Sequence, residues 1–235
     1  MNFGNGGDFA QSGELFVAQY IKDRLAKELG QSSVVIFDVG ANVGKYAKAL
    51  SELFGSKAKI FAFEPSQKTF ELFKETTKTC SNIIPNNLGF SNKEYTHTLF
   101  TNTEGSGLAS VYQRKLDHFG ISMDKTEEIK LSTIDNYCQQ HNIDRIHFLK
   151  LDIEGHELSA LTGAQDMIAN KKVDYIQFEF GGCNIDSRTY FQDFYYLLKD
   201  NYRIYRILKN GIHELPTYKE TYEIFITINY LAIKK

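Results

Sequence analysis

Apolar runs and amphipathic stretches alternate along this chain. Between Ser12 and Leu29, Phe16, Ile21, Leu25 and Leu29 recur at near-helical spacing, which predicts an amphipathic helix. SVVIFDV then reads as a buried strand ended by glycine, and NVGKYAKALSELF as a helix stopped at Gly55. The pattern repeats with KIFAFEP as a strand, SQKTFELFKETTK as a helix capped by Ser66, and NIIPNNL as a strand. EYTHTLF alternates and reads as a further strand or ribbon, whereas residues 101–127 have no period and read as an inserted loop. STIDNYCQQHN predicts a helix, RIHFLKLDI a strand, GHELSALTGAQDMIAN one helix and VDYIQFEF another strand. Past Ser187 an aromatic-rich helix runs to about Asn201, a hairpin turns at Asn210-Gly211, and YEIFITINYLAI closes the chain as one long strand.

This alternation predicts an α/β fold with a mostly parallel sheet and an antiparallel finish. Internal repeats and low-complexity segments are absent, so residues 1–235 are expected to form one domain. In such sheets ligands sit beyond the carboxyl ends of the strands, where the strand order reverses. The residues at those ends therefore matter most.

Composition narrows the function by exclusion. A net charge of −2, with lysines spread along the chain, argues against a nucleic-acid partner. Cys80, Cys138 and Cys183 are odd in number and far apart, which fits neither a disulfide framework nor a zinc site. The opening MNFGNGGDFAQSGE has no secretory pattern and no apolar run is long enough to span a bilayer, so a cytoplasmic protein without membrane insertion is expected.

The stretch VIFDVGANVGKY carries the first candidate chemistry. Gly40 to Gly44 is too short for a phosphate loop, and Lys45 is followed by Tyr46 where a magnesium-binding hydroxyl belongs. A dinucleotide fingerprint fails too, because Asn42 and Lys45 stand where glycines must admit a pyrophosphate. What remains is a carboxylate, Asp38, near the end of the first strand, followed by a tight glycine turn. Glu64, ending the second strand in FAFEP, can accept hydrogen bonds from both ribose hydroxyls. Neither acid suits an apolar strand without a partner. A ligand with an amine, a ribose and no phosphate is S-adenosylmethionine.

Further stretches resemble the FkbM-type family of S-adenosylmethionine-dependent methyltransferases. FLKLDIEGHELSALTGA is similar to its K-[IL]-D-[VI]-E-G-x-E segment, LSTIDNYCQQHNIDRIHFLKLD to the helix leading into strand four, and YIQFEF to the end of strand five. With VGANVGKY and FAFEP, the likeness covers about residues 11–182. It implies a class I methyltransferase fold, a seven-stranded sheet in the order 3-2-1-4-5-7-6, and methyl transfer to a hydroxyl of a sugar, polysaccharide or glycosylated metabolite. On this resemblance Asp38, Gly40, Ala41, Asn42 and Gly44 surround the methionine portion of the cofactor. Glu64 with Pro65 holds the ribose and Asn87 faces the adenine. AQSGE (10–14), within a helical cap over residues 1–30, closes over the cofactor. Residues 101–127 and 183–220 match nothing in the pattern and are the expected acceptor-recognition insertions.

For the chemistry itself, a weakly nucleophilic hydroxyl calls for a positioned base. Asp152, after strand four, is the first candidate for base or metal ligand and also borders the cofactor, with Glu154 and His156 following. Glu179, at the end of strand five, is placed to converge on Asp152. Two carboxylates brought together raise one another's pKa, or hold a divalent cation between them; with no third strong oxygen ligand evident, metal-free chemistry is the expectation. Glu157 reads as a helix cap more than as a catalytic group. The family pattern leaves the position of His156 variable, so a role in shaping the acceptor pocket stands beside a role as base. An amine or phosphate-type acceptor, and a cofactor-binding module without chemistry, are the alternatives.

Overall fold

The computed structural model describes residues 12–30 and 32–235. In chain order the first half contains α1 (Glu14–Leu29), β1 (Val34–Val39), α2 (Lys45–Phe54), β2 (Ala58–Phe63), α3 (Gln67–Thr77), β3 (Ile83–Asn86), β4 (Gly89–Phe90), β5 (Tyr95–Thr101) and β6 (Lys125–Ser132). The second half contains α4 (Ile134–Gln140), β7 (Ile146–Leu151), α5 (Glu157–Thr162), α6 (Gln165–Ala169), β8 (Val173–Phe180), α7 (Cys183–Ser187) and α8 (Phe191–Leu198), then β9 (Tyr202–Leu208), β10 (Gly211–Glu214) and β11 (Ile228–Lys234). The main sheet runs β10-β9-β11-β8-β7-β1-β2-β3. Strands β3, β2, β1, β7 and β8 are parallel, and β11, β9 and β10 pair antiparallel. This is the order 3-2-1-4-5-7-6 with one strand more than expected, because β10 of the hairpin pairs onto the outer edge of β9.

β7 and β8 are buried along their whole length, which explains why IHFLKL and VDYIQFEF show little alternation: helices cover both faces. On one face α1 buries Val17, Ala18, Ile21 and Leu25, while Phe16, counted above in its apolar stripe, is 39% exposed. On the other face Phe178 stacks on Phe194 at 4.8 Å and on Tyr230 at 5.5 Å. Phe191, Phe194 and Tyr195 of α8 thus serve core packing, while Tyr196 is exposed. Ser66 caps α3 by accepting from the Thr69 N–H, as its position suggested.

The departures from the sequence pattern have local causes. GHELSALTGAQDMIAN forms two helices, not one. Gly163 lies so near the Ser91 carbonyl that a Cβ would come within 2.0 Å, and its own carbonyl accepts from the Asp135 N–H. The Asp135 carboxylate then accepts from the N–H groups of Asp166 and Met167, starting α6 afresh. The closing strand is shorter than YEIFITINYLAI suggested and spans only Ile228–Lys234. Residues 101–127 are not wholly loop: β6 begins at Lys125 and joins β4 and β5 in a second, three-stranded sheet.

Phe178→Ala is expected to lower stability by about 3–5 kcal/mol in denaturant unfolding, the usual scale for emptying an aromatic site in a packed core.

Candidate active site

Side chains two residues apart on a strand share a face, and the parallel register makes two polar rows across the middle of the sheet. Asp38 of β1 aligns with Lys150 of β7, and Lys150 with Gln177 of β8. Two residues further along lie Gly40, Asp152 and Glu179, with Glu64 following β2. Above them is a cavity of about 420 Å³, with Glu14, Glu64, Lys150, Asp152, Glu154 and Glu179 among its lining groups. It sits at the carboxyl ends of the strands, between β1 and β7, where the order reverses.

Lys150 is the hub. Its ammonium lies 3.0 Å from Asp152 Oδ2, 3.9 Å from Asp38 Oδ1 and 4.0 Å from Glu14 Oε1, and 4.7 Å from the centroid of the Tyr46 ring. Burial opposes its charge, but the three carboxylates hold its pKa well above the usual lysine value. Asp38 is fully buried and among the described residues neither of its oxygens has a hydrogen-bond partner, so burial lifts it to about 6. Glu14, buried and raised for the same reason, accepts from Ser12 and Gln177.

The turn after β1 is built for close approach. At Gly40, φ is +85° and a Cβ would stand 1.8 Å from the Asp152 carbonyl, so the two strand ends meet only because no side chain intervenes. Asn42 also has positive φ, and its N–H donates to Glu64 Oε2 at 3.0 Å. The Ser66 N–H donates to Oε1 at 2.9 Å, while burial raises the Glu64 carboxyl to about 7. Ala41, Asn42 and Pro65 border the cavity. Gly44 instead packs against Phe73 and Thr77, and Asn87 donates to the carbonyls of Glu64 and Pro65, leaving Gly89 and Phe90 at that end of the cavity.

Beyond β7 the chain turns tightly through Glu154 (φ +52°) and Gly155 (φ +102°). Glu157 holds this turn: fully buried, it accepts from the N–H groups of Ile153 and Gly155, which precede α5, so its side chain braces the turn and does not play the helix-capping role read for it. His156 lines the cavity with both ring nitrogens engaged, Nε2 2.9 Å from Ser91 Oγ and Nδ1 3.0 Å from the Tyr112 hydroxyl. Burial and the nearby His97 lower its pKa to about 4, far from that of an effective base at neutral pH. Glu154 pairs with Arg114, whose Nε lies 3.7 Å from Asp186. Glu179 lies in the cavity wall with its pKa pushed well up by burial and by Asp152 and Glu154. Glu154, Glu179 and Cys183 could present ligand atoms within 4.8 Å of one another. Arg114 already occupies Glu154 and burial pushes the Cys183 thiol up, so this set does not suit a hard divalent cation.

The second sheet and the segment before β6 roof the cavity with Leu99, Val111, Ile129 and Leu131. Asn42 Nδ2 donates to the Ser106 carbonyl, and Ser110 Oγ to that of Glu154, tying roof to floor. Among the described residues none from 183–220 lines the cavity, although Asp186 steadies Arg114. Of AQSGE, Ala10 and Gln11 lie outside the described residues, while Ser12, Gly13 and Glu14 open α1 beside the cavity. Arg114 was not singled out from the sequence, and Lys150 and Glu14 stood within quoted stretches without a role of their own. Lys150 was readable, since a lysine within IHFLKL needs a partner as much as Asp38 does.

Strand order, glycine turn and acidic strand ends together define a class I methyltransferase fold. The chain belongs to the FkbM methyltransferase domain family, whose model matches residues 38–206; the domain uses S-adenosylmethionine. It is 27% identical over 159 residues to the hexuronic acid methyltransferase AglP of Haloferax volcanii, covering 67% of this chain and 61% of that relative. A SAM-dependent methyltransferase from Agrobacterium tumefaciens superposes with a TM-score of 0.50 at 6% identity, over 95% of this chain and 63% of the other. One from Aquifex aeolicus gives 0.45 at 13% identity, over 91% and 89%. Among the described residues no helix is long and apolar enough to cross a membrane.

Burial raises the Glu157 pKa to about 7 in the folded chain, so the folded state holds a proton that the unfolded state releases near pH 4.5. Stability from this group is complete below that pH and lost as pH rises through about 7. Glu157→Gln stays neutral; between pH 5 and 8 the wild type is expected to lose about 2–3 kcal/mol more than the variant in denaturant unfolding.

Proposed function

We propose that this protein transfers a methyl group from S-adenosylmethionine to a hydroxyl of a sugar or glycosylated metabolite. The observation that carries the reading is the set of carboxylates on four adjacent strands, Glu64, Asp38, Asp152 and Glu179. At about 4.8 Å per strand they span about 14 Å, the reach of a nucleoside and a second substrate placed end to end. The residues suit the cofactor: Glu64 has lone pairs left for a ribose diol, the unbonded oxygens of Asp38 and the carboxylate of Glu14 favour a cationic methionine end, and no phosphate-binding loop is present. Gly89, Phe90 and Leu131 offer apolar surface for the base. The hexuronic acid named for the archaeal relative supports a sugar-like acceptor class.

When bound, the sulfonium supplies a methyl group open to in-line displacement. The protein's own part is alignment and proton removal. Lys150 fixes Asp152 through Oδ2 at 3.0 Å, which leaves Oδ1 for the acceptor hydroxyl and makes Asp152 the base. His156, held by Ser91 and Tyr112, shapes the pocket. Glu154, paired with Arg114, shapes the turn beside Asp152. The apolar roof excludes water, and its segment over residues 101–127 contacts the acceptor. The free thiols of Cys80, Cys138 and Cys183 suit a reducing cytoplasm, where the reading places a role in polysaccharide biosynthesis.

Calorimetric titration with S-adenosylmethionine, followed by a screen of oligosaccharide and nucleotide-sugar acceptors with labelled methyl donor, tests the proposal; no binding at millimolar cofactor would end it. Glu64→Ala is expected to weaken cofactor binding by about 1.5–3 kcal/mol. Because a ribose diol favours the ionised carboxylate, wild-type affinity should fall as pH drops below about 7, with Glu64→Gln showing a flatter profile. Asp152→Asn should keep cofactor affinity and reduce kcat by about 10²–10⁴-fold, with wild-type turnover surviving EDTA. Unchanged kcat in that variant would remove Asp152 from the chemistry.

A further inference from the structure

Glu179 is the one acid of the sheet floor whose state the cofactor reading leaves unexplained. It is only 7% exposed, it faces the cavity, and among the described residues no hydrogen bond or ion pair satisfies it. Its oxygens are open to the cavity, and a largely buried carboxylate without a protein donor leaves its place for a donor brought by a ligand. Two strands separate it from Glu64, with β1 and β7 between them, so it lies at the end of the cavity away from the ribose-holding acid.

The charges around it decide what kind of donor fits. Glu154 has a carboxyl oxygen within 4.8 Å of one from Glu179, and Asp152 is the next strand end. The nearby cations are committed: Lys150 to Asp152, Asp38 and Glu14, and Arg114 to Glu154 and Asp186. Lys45 also borders the cavity but begins α2, directly after the β1 turn, on the cofactor side. An acceptor bringing a carboxylate or phosphate to Glu179 would meet like charge without a free counter-ion.

We infer that the acceptor presents an ammonium group to Glu179, so that the substrate is an amino sugar or similar amino alcohol and not a uronate. This rests on the methyltransferase reading above and narrows its acceptor. The raised pKa of Glu179 agrees with a carboxyl lacking its cation. The inference also separates this chain from the acidic sugar in its archaeal relative's name. Asp152, one strand away, remains free to take the proton of a neighbouring hydroxyl.

The test uses the whole protein saturated with S-adenosylhomocysteine, titrated calorimetrically with glucosamine, glucose and glucuronate. Glucosamine is expected to bind about tenfold or more tighter than glucose, with glucuronate weakest. Glu179→Gln should shrink the glucosamine advantage to about threefold or less, Glu179→Asp should retain most of it, and both should bind S-adenosylhomocysteine as the wild type does. Equal binding of glucose and glucosamine, preference for glucuronate, or no binding by any of the three would overturn the inference. So would a tenfold loss of S-adenosylhomocysteine affinity in Glu179→Gln, which would assign this acid to the cofactor's own amine. Failure of the wild type to bind S-adenosylhomocysteine is a separate outcome that sinks the cofactor reading and takes this inference with it.

Discussion

A single ammonium, that of Lys150, makes the acidic floor of this molecule tenable. Asp38, Asp152 and Glu14 come from β1, from the turn after β7 and from the start of α1. Each would be expensive to bury alone, and together they would repel one another. A cation at their centre lets three separate chain segments meet. The arrangement remains short of positive charge: one lysine faces three carboxylates, and among the described residues Asp38 still lacks a hydrogen-bond partner. The floor is therefore already disposed toward a positively charged ligand.

The fold was legible from the sequence where burial and period agree. β1, β2, β7 and β8 are short, apolar and β-branched or aromatic, and they emerge within a residue or two of the expected limits. Legibility failed where a remote contact overrides local preference. The split between α5 and α6 depends on Ser91 and Asp135, which lie far from Gly163 in sequence. The roof strand β6 reads KTEEIKLS, six of its eight residues polar, and becomes a strand because β5 pairs with it from Lys125 to Leu131.

For the site the same distinction holds. Acids at the ends of apolar strands advertise themselves, because nothing in a core accounts for them. Glu14 carries no such signal; its significance comes from Gln177, 163 residues away. Asn87 carries a contact that its position alone does not reveal, its side-chain amide donating to two backbone carbonyls. His156 has the chemistry of a base in isolation, but two hydroxyls engage its ring nitrogens, and burial with the nearby His97 lowers its pKa.

The anchoring of the roof has a consequence of its own. Glu127, on β6, accepts from Ser66 Oγ and from the Gln67 N–H at the start of α3. The Ser66 N–H in turn steadies Glu64. Ceiling and Glu64 are thus joined through two residues, so a shift of the roof strands is transmitted to the turn after β2. On the function proposed above, a lineage that altered its acceptor through this ceiling would retune its grip on the methyl donor in the same stroke.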